Sequence, residues 1–173
     1  ALRVCVGGDK LQYVAGDSDV LSRPITARPG FDWESLYGYY VKGKEAARQR
    51  SYTNALAQFE ACLNQDANYA PALVEMAALA NRRADWAGAV RYARQALSID
   101  TYDPAVNYQF GLASAALHNE SDAKDAFSLA ALSPAWRSAA RTELAKEFLR
   151  EKRYDRALAD ATEALHSNDR NVD

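Results

Sequence analysis

The sequence predicts a mostly α protein: an α-solenoid of four helix–turn–helix repeats preceded by a short β-hairpin and an extended linker. Three observations predict it. Of 173 residues, 35 are alanine, the best helix former and small enough to let helix backbones approach closely. Only five prolines and eight glycines interrupt the chain, so long stretches are free of helix breakers. Small residues also recur with a period of 34 through four copies without an insertion, and such self-similarity is the mark of stacked repeats.

The elements are taken in chain order. In residues 1–35, "LRVCV" and "KLQYVAG" flank Gly7-Gly8-Asp9 with alternating apolar and polar residues, which reads as a β-hairpin. A two-stranded hairpin is marginal alone, so it is expected to pack on the first repeat or to be the end of an upstream β domain. The linker "DSDVLSRPITARPGFDWES" holds Pro24 and Pro29, which block helix, and Asp32 or Ser35 as caps for the first helix of the array. "VGGDK" lacks the spacing and the adjoining helix of a phosphate loop.

The repeats are framed as 36–69, 70–103, 104–137 and 138–171, with 172–173 as the start of a further copy or a tail. Ala55, Ala89, Ala123 and Ala157 share one position. Cys62, Ala96, Ala130 and Ala164 share a second, and Gly43, Ala77, Gly111 and Ala145 a third. Tyr52, Trp86 and Tyr154 coincide in three copies. Each copy divides into two apolar-periodic stretches of helical length. The breaks fall at Gln49–Ser51, Ala84–Asp85, His118–Asn119 and Lys152–Arg153. Pro71 and Pro104 stand where a helix starts and a missing N–H costs nothing, with Asp103 as a cap. A helix pair alone leaves an apolar face uncovered, and stacking covers it.

This pattern resembles the tetratricopeptide repeat (TPR), whose signature sets a large residue, Leu-Gly, Tyr, then Ala, aromatic and Ala at fixed offsets. The second copy, ending "ALSIDTYD", is the nearest match. Lys42 replaces the usual leucine, and Ala67, Thr101, Ala135 and Asp169 stand where an exit proline is usual. The hairpin, the linker with "FDWESLYGYY" and the array together resemble, more weakly, the C-terminal part of large bacterial proteins in which a β-rich, glycosyl-hydrolase-like domain of unknown function precedes such repeats.

Composition narrows the function. The net charge of −2 gives no electrostatic footprint for nucleic acid. No apolar run approaches the ~18–20 residues of a membrane span. The opening "ALRVCVGGDK" has no basic region before an apolar stretch, so no signal peptide is expected there, and it lacks an initiator Met, as an excised piece would. Cys5 and Cys62 follow no metal or redox spacing, although one bridge between them stays open. Cys62 occupies a small repeated position and is expected between helices. His118 and His166 lie far apart along the array and read as surface residues, not ligands. Glu143 and Glu147, beside Lys146 and Arg150, read as a solvated charged face. No cofactor, metal or catalytic constellation is expected, and the segment reads as a non-enzyme.

The TPR resemblance implies a concave groove lined by the first helix of each copy. Carried over, its inward positions include Tyr37, Tyr40, Lys44 and Arg48; Glu75, Asn81 and Arg82; Tyr108 and Gln109; and Lys146 and Arg150. Tyr and Arg often dominate binding energy. The two-carboxylate clamp for acidic chaperone tails is absent: its positions hold Tyr40, Lys44, Glu75, Ala105 and Gln109. Leu158, Ala161 and Leu165 are expected to stand uncovered on the last helix, open to self-association or another partner. The function implied is a protein-interaction scaffold that binds a peptide or partner protein. The alternative is an accessory segment of a carbohydrate-active enzyme whose chemistry lies outside this chain.

Overall fold

The computed structural model describes residues 3–8, 11–14 and 30–168. It divides between Asp32 and Trp33 into two compact units. The first contains strands β1 (Arg3–Val6) and β2 (Leu11–Val14), paired antiparallel with Val4 opposite Tyr13 and Cys5 opposite Gln12. Gly7 and Gly8 turn the chain at φ 68° and 76°, the left-handed region that costs glycine nothing. Of the linker expected over 17–35, residues 17–29 lie outside the described residues, as does the tail at 172–173.

The described residues of the second unit form helices joined by short turns. α1 (Leu36–Arg48) and α2 (Tyr52–Gln65) form one antiparallel pair. α3 (Ala70–Arg82) and α4 (Trp86–Leu97) form the next, then α5 (Pro104–Ala116) and α6 (Glu120–Ala130), then α7 (Arg137–Arg150) and α8 (Tyr154–Ser167). Packing is densest within each pair, and every second helix then touches the first helix of the next pair. The chain is therefore four helix–turn–helix repeats in sequence order.

Caps explain the helix starts. Ser35, not Asp32, caps α1: its Oγ accepts from Gly38 N at 3.1 Å. Asp85 Oδ1 accepts from Gly88 N at 2.9 Å, and Asp103 Oδ1 accepts from Ala105 N and Val106 N at 2.8 and 3.0 Å. Each satisfies amide donors that a helix leaves open. α7 begins after Trp136, which makes no side-chain cap.

The turn inside every repeat has one design. Arg50, Ala84, His118 and Lys152, each 34 residues from the last, are left-handed at φ 58–61°. The next amide reaches back across the turn: Ser51 N to Ala46 O, Asp85 N to Ala80 O, Asn119 N to Ser114 O and Arg153 N to Phe148 O, all at 2.8–2.9 Å. This is the Schellman closure, which satisfies orphan carbonyls at the end of the first helix.

The core is a line of small residues punctuated by large ones. Phe59, Phe127, Leu73, Met76, Val106 and Cys62 are fully buried. Position 8 of a repeat meets position 24 of the same repeat, and their sizes compensate. Gly43 faces Phe59 and Gly111 faces Phe127, where a Cβ on the glycine would fall 2.5 or 2.6 Å from the ring. The other two copies hold Ala77 with Ala93, and Ala145 with Ala161. Behind the Ala77–Ala93 pair the space is filled from the next repeat, where Val106 and Phe110 pack into the cluster of Leu73, Ala77, Ala93 and Ala96. At the matching positions behind the two Gly–Phe pairs the incoming residues are smaller, Ala72 with Met76 and Ala140 with Leu144, while Leu79 and Phe148 join the same clusters from further along their helices.

Candidate functional site

The residues singled out on the first helices lie on α1, α3, α5 and α7. α3 packs on α5, and α1 approaches α3. On α1 the Tyr37 and Tyr40 rings are 6.4 Å apart, and Tyr40 also meets the Tyr69 ring edge-on at 5.7 Å. Tyr37 is 57% exposed. Lys44 Nζ donates to Glu75 Oε1 at 2.6 Å, joining the first repeat to the second. That hydrogen bond raises the Lys44 ammonium above its usual range. Burial raises the Tyr40 hydroxyl, against the opposing pull of Lys44. Arg48 closes a fork on Glu45, Nε to Oε2 at 2.9 Å and the terminal nitrogen to Oε1 at 2.7 Å.

Further along, Asn81 Nδ2 donates to the Gln109 backbone oxygen and to Gln109 Oε1, both at 2.9 Å. This amide pair ties α3 to α5. Arg82 stacks its guanidinium 4.8 Å from the Tyr52 ring centre, so its contact is with α2. Tyr108 packs on Trp136 at 5.0 Å and on Phe127 at 5.9 Å. Lys146 Nζ donates to Glu143 Oε1 at 3.0 Å, and Arg150 pairs with Glu147. A cavity of about 380 Å³ opens here, lined in part by Leu112, His118, Glu120, Glu143, Glu147 and Arg150.

The geometry joins Lys44 to Glu75 and Asn81 to Gln109, but it does not gather the cations. Lys44, Arg48, Lys146 and Arg150 each hold a carboxylate of this chain. Glu147 departs from the solvated face read from sequence: it is only 3% exposed and is paired with Arg150. Spacing held part of this signal, since Glu45–Arg48, Glu143–Lys146 and Glu147–Arg150 are all three apart, where helical side chains meet. Tyr69 and Trp136, which press on the tyrosines, lie between helices and carried no such signal.

Cys62 is buried, and its Sγ lies 3.4 Å from the Leu36 carbonyl oxygen, to which the thiol donates. Burial raises its pKa. Cys5 and Cys62 are both free thiols. His118 occupies the left-handed turn position, and His166 lies in the last turn of α8. Among the described residues, no helix is long and apolar enough to cross a membrane.

A second surface lies on the last pair. Leu158 and Leu165 are exposed and Ala161 is half-buried. With Ala145, Leu149 and Tyr154 they line a largely apolar groove of about 550 Å³.

No family model matches the sequence, and no curated protein does. Solved structures do. The chain is similar to MamA (residues 41 to the end) from Desulfovibrio magneticus RS-1, at 17% identity over 81% of this chain and 79% of that one, with a TM-score of 0.69. It is similar to YrrB, described as a TPR protein with an unusual peptide-binding site, at 16% identity over 81% and 72%, TM-score 0.66. It is also similar to TTC0263, a thermophilic TPR protein in Thermus thermophilus, at 17% identity over 80% and 76%, TM-score 0.64. The fold is that of the tetratricopeptide repeat.

Proposed function

We propose, for a chain with the TPR fold, that the face built by α1, α3, α5 and α7 binds a peptide or a segment of a partner protein. Tetratricopeptide scaffolds are typically protein-interaction modules, and YrrB is described as having a peptide-binding site. The observation that carries the proposal is the pairing of exposed aromatic area at Tyr37, beside the half-buried Tyr40, with cations already neutralised by their own helices or neighbours. Tyrosine gives contact area at small entropic cost. A cation held by its own carboxylate is a poor receiver for a second one.

The ligand is accordingly neutral or basic, with Glu120 an exposed carboxylate at the cavity where Lys146 and Arg150 already hold Glu143 and Glu147. Residues Tyr37, Tyr40, Lys44, Arg48, Asn81, Arg82, Tyr108, Gln109, Lys146 and Arg150 are proposed as the wall of this site. No catalysis is assigned to these residues.

A peptide library panned on the chain tests this. Enrichment of neutral or basic sequences, lost on Tyr37→Ala with Tyr40→Ala, is expected. Tight capture of an acidic C-terminal peptide, abolished by Arg82→Ala, would overturn it. A glycan array scores the alternative of a carbohydrate-enzyme accessory segment: sugar binding without peptide binding replaces the scaffold reading, as does hydrolysis by the chain itself.

A further inference from the structure

We infer that the seam where α5 and α6 meet the end of α4 binds a guanidinium group, supplied by an arginine side chain of a partner polypeptide. The site shares no residue with the wall proposed above and does not depend on it.

A cavity of about 280 Å³ opens at this seam, between the second and third repeats. Leu97, Phe110, Ala126 and Leu129 give it apolar sides, and Asp122 and Asp125 line it with carboxylates. Both aspartates are exposed, and among the described residues neither is paired with a cation of this chain. Asn107 lines the same cavity and is only 2% exposed. Its Nδ2 donates to the backbone oxygens of Thr101 and Asp103, both at 2.9 Å. Its carbonyl oxygen has no hydrogen-bond partner among the described residues. A buried acceptor is costly to leave without a donor. The Thr101 hydroxyl proton is spent as well, on the Leu97 carbonyl oxygen at 3.1 Å. The polar side chains of this cavity therefore offer acceptors and negative charge, and no free donor. The complement is a cation that only donates. A guanidinium carries five N–H donors and no acceptor.

The array's other two seams show what this space holds. At the first, the residues matching Asn107 and Ala126 are Leu73 and Tyr92, which pack together with Leu63. At the third they are Arg141 and Asp160. There the Arg141 guanidinium donates to the Asp160 carboxylate, which is 8% exposed. One seam is thus closed by hydrocarbon and another by an arginine seated on an aspartate. The middle seam has an amide in place of the arginine and an alanine in place of the aspartate. Its acids stand instead at 122 and 125, where the second repeat has Gly88 and Arg91 and the fourth Arg156 and Ala159. It keeps the negative charge and lacks the internal arginine.

Arginine fits better than lysine. Its planar fork can serve the amide oxygen and a carboxylate together and can stack on the Phe110 ring, whereas an ammonium is a compact, strongly hydrated point charge. Its methylene stem matches the apolar sides. Arg94 holds its guanidinium 5.8 Å from the Phe110 ring centre but pairs with neither aspartate. A polypeptide is the source because its backbone around the arginine is neutral, while the carboxylate of free arginine would face Asp122 and Asp125.

The probe is the capped peptide acetyl-Ala-Arg-Ala-amide, titrated into the ¹⁵N-labelled chain. The readout is the Asn107 side-chain amide and the backbone amides of Asp122 and Asp125 by nuclear magnetic resonance. Saturable shifts are expected at all three. Binding should be at least tenfold weaker with citrulline, a neutral isostere, or with lysine in place of arginine, and weaker with free arginine. Asp122→Asn with Asp125→Asn, both at exposed positions, should abolish the response while the circular-dichroism spectrum stays unchanged. Asn107→Arg, which sets an arginine where the third seam has Arg141, should block it from within. Tyr37→Ala with Tyr40→Ala should leave it unaltered. The inference is overturned by the absence of saturable shifts at these residues, by lysine or citrulline binding equally well, or by a response that survives the aspartate changes. Free arginine binding more tightly than the peptide overturns the polypeptide source.

Discussion

Adding one methyl group at Gly111 tests whether size compensation inside a repeat governs this core. The Cβ of Gly111→Ala would stand 2.6, 2.7 and 3.0 Å from Cε1, Cδ1 and Cζ of Phe127. Phe127 is fully buried, so the ring has no solvent to retreat into. Overpacking of a tight core costs about 1–3 kcal/mol, and three atoms within 3.0 Å place this case in the upper half. Against it stands the helix propensity gained on replacing glycine by alanine, about 0.8–1.0 kcal/mol. The net loss is about 1–2 kcal/mol, or roughly 2–8 °C in melting temperature for a chain of this size. In a Phe127→Leu background the ring is gone and only the propensity term remains, so the same change then stabilises by about 1 kcal/mol. The double-mutant cycle should thus show a coupling of about 2–3 kcal/mol. The assay is urea and thermal unfolding of the four proteins by far-ultraviolet circular dichroism. If Gly111→Ala raises stability while Phe127 is present, the ring does not hold that position small, and the alternation argument fails with it.

Two further outcomes come from the geometry. Ala84 is left-handed at φ 58°, which costs a residue with a Cβ about 1–2 kcal/mol, so Ala84→Gly should raise the melting temperature; part of the gain is offset by glycine's freedom in the unfolded chain, and a fall would contradict the turn. Burial raises the pKa of Cys62, Tyr40 and Tyr69, and the hydrogen bond to Glu75 raises that of Lys44. The folded chain then holds more of these protons than the unfolded one above the unfolded values, so the contribution of these four groups is constant below about pH 8.5, the ordinary thiol value, and declines as pH rises. A thermal-melt series from about pH 7 to 11, which brackets the ordinary thiol, tyrosine and lysine values, should show this, with the onset delayed in Cys62→Ala; a Cys62→Ala series that overlays wild type would refute the thiol's part.

Much of the fold was legible because stacking demands small residues at fixed offsets, and Ala55, Ala89, Ala123 and Ala157 announce the period directly. The turns were legible for a different reason. Polar or small residues at 49–51, 84–85, 118–119 and 152–153 mark where the first helix cannot continue. That one residue in each turn is left-handed was not legible, since Arg50, Ala84, His118 and Lys152 share no side-chain property. The candidate wall was readable only as positions on helices. Its electrostatics were not, because whether Lys44 reaches Glu75 on the neighbouring repeat, or Arg82 turns to Tyr52, depends on rotamers. The compensation between Gly43 and Phe59, or Ala77 and Ala93, stood in the sequence sixteen residues apart, but it gains meaning only once those positions are known to touch.

The paired sizes also restrict how such a chain can grow or shrink. Excising the second repeat would splice the Gly43–Phe59 unit, already full, against Val106 and Phe110, and two bulky sets would compete for one space. Excising the second and third together would bring Ala140 and Leu144 to that same unit, a match of the kind Ala72 and Met76 already make. Lengthening or trimming by couplets of 68 residues therefore preserves the seam where single steps of 34 break it.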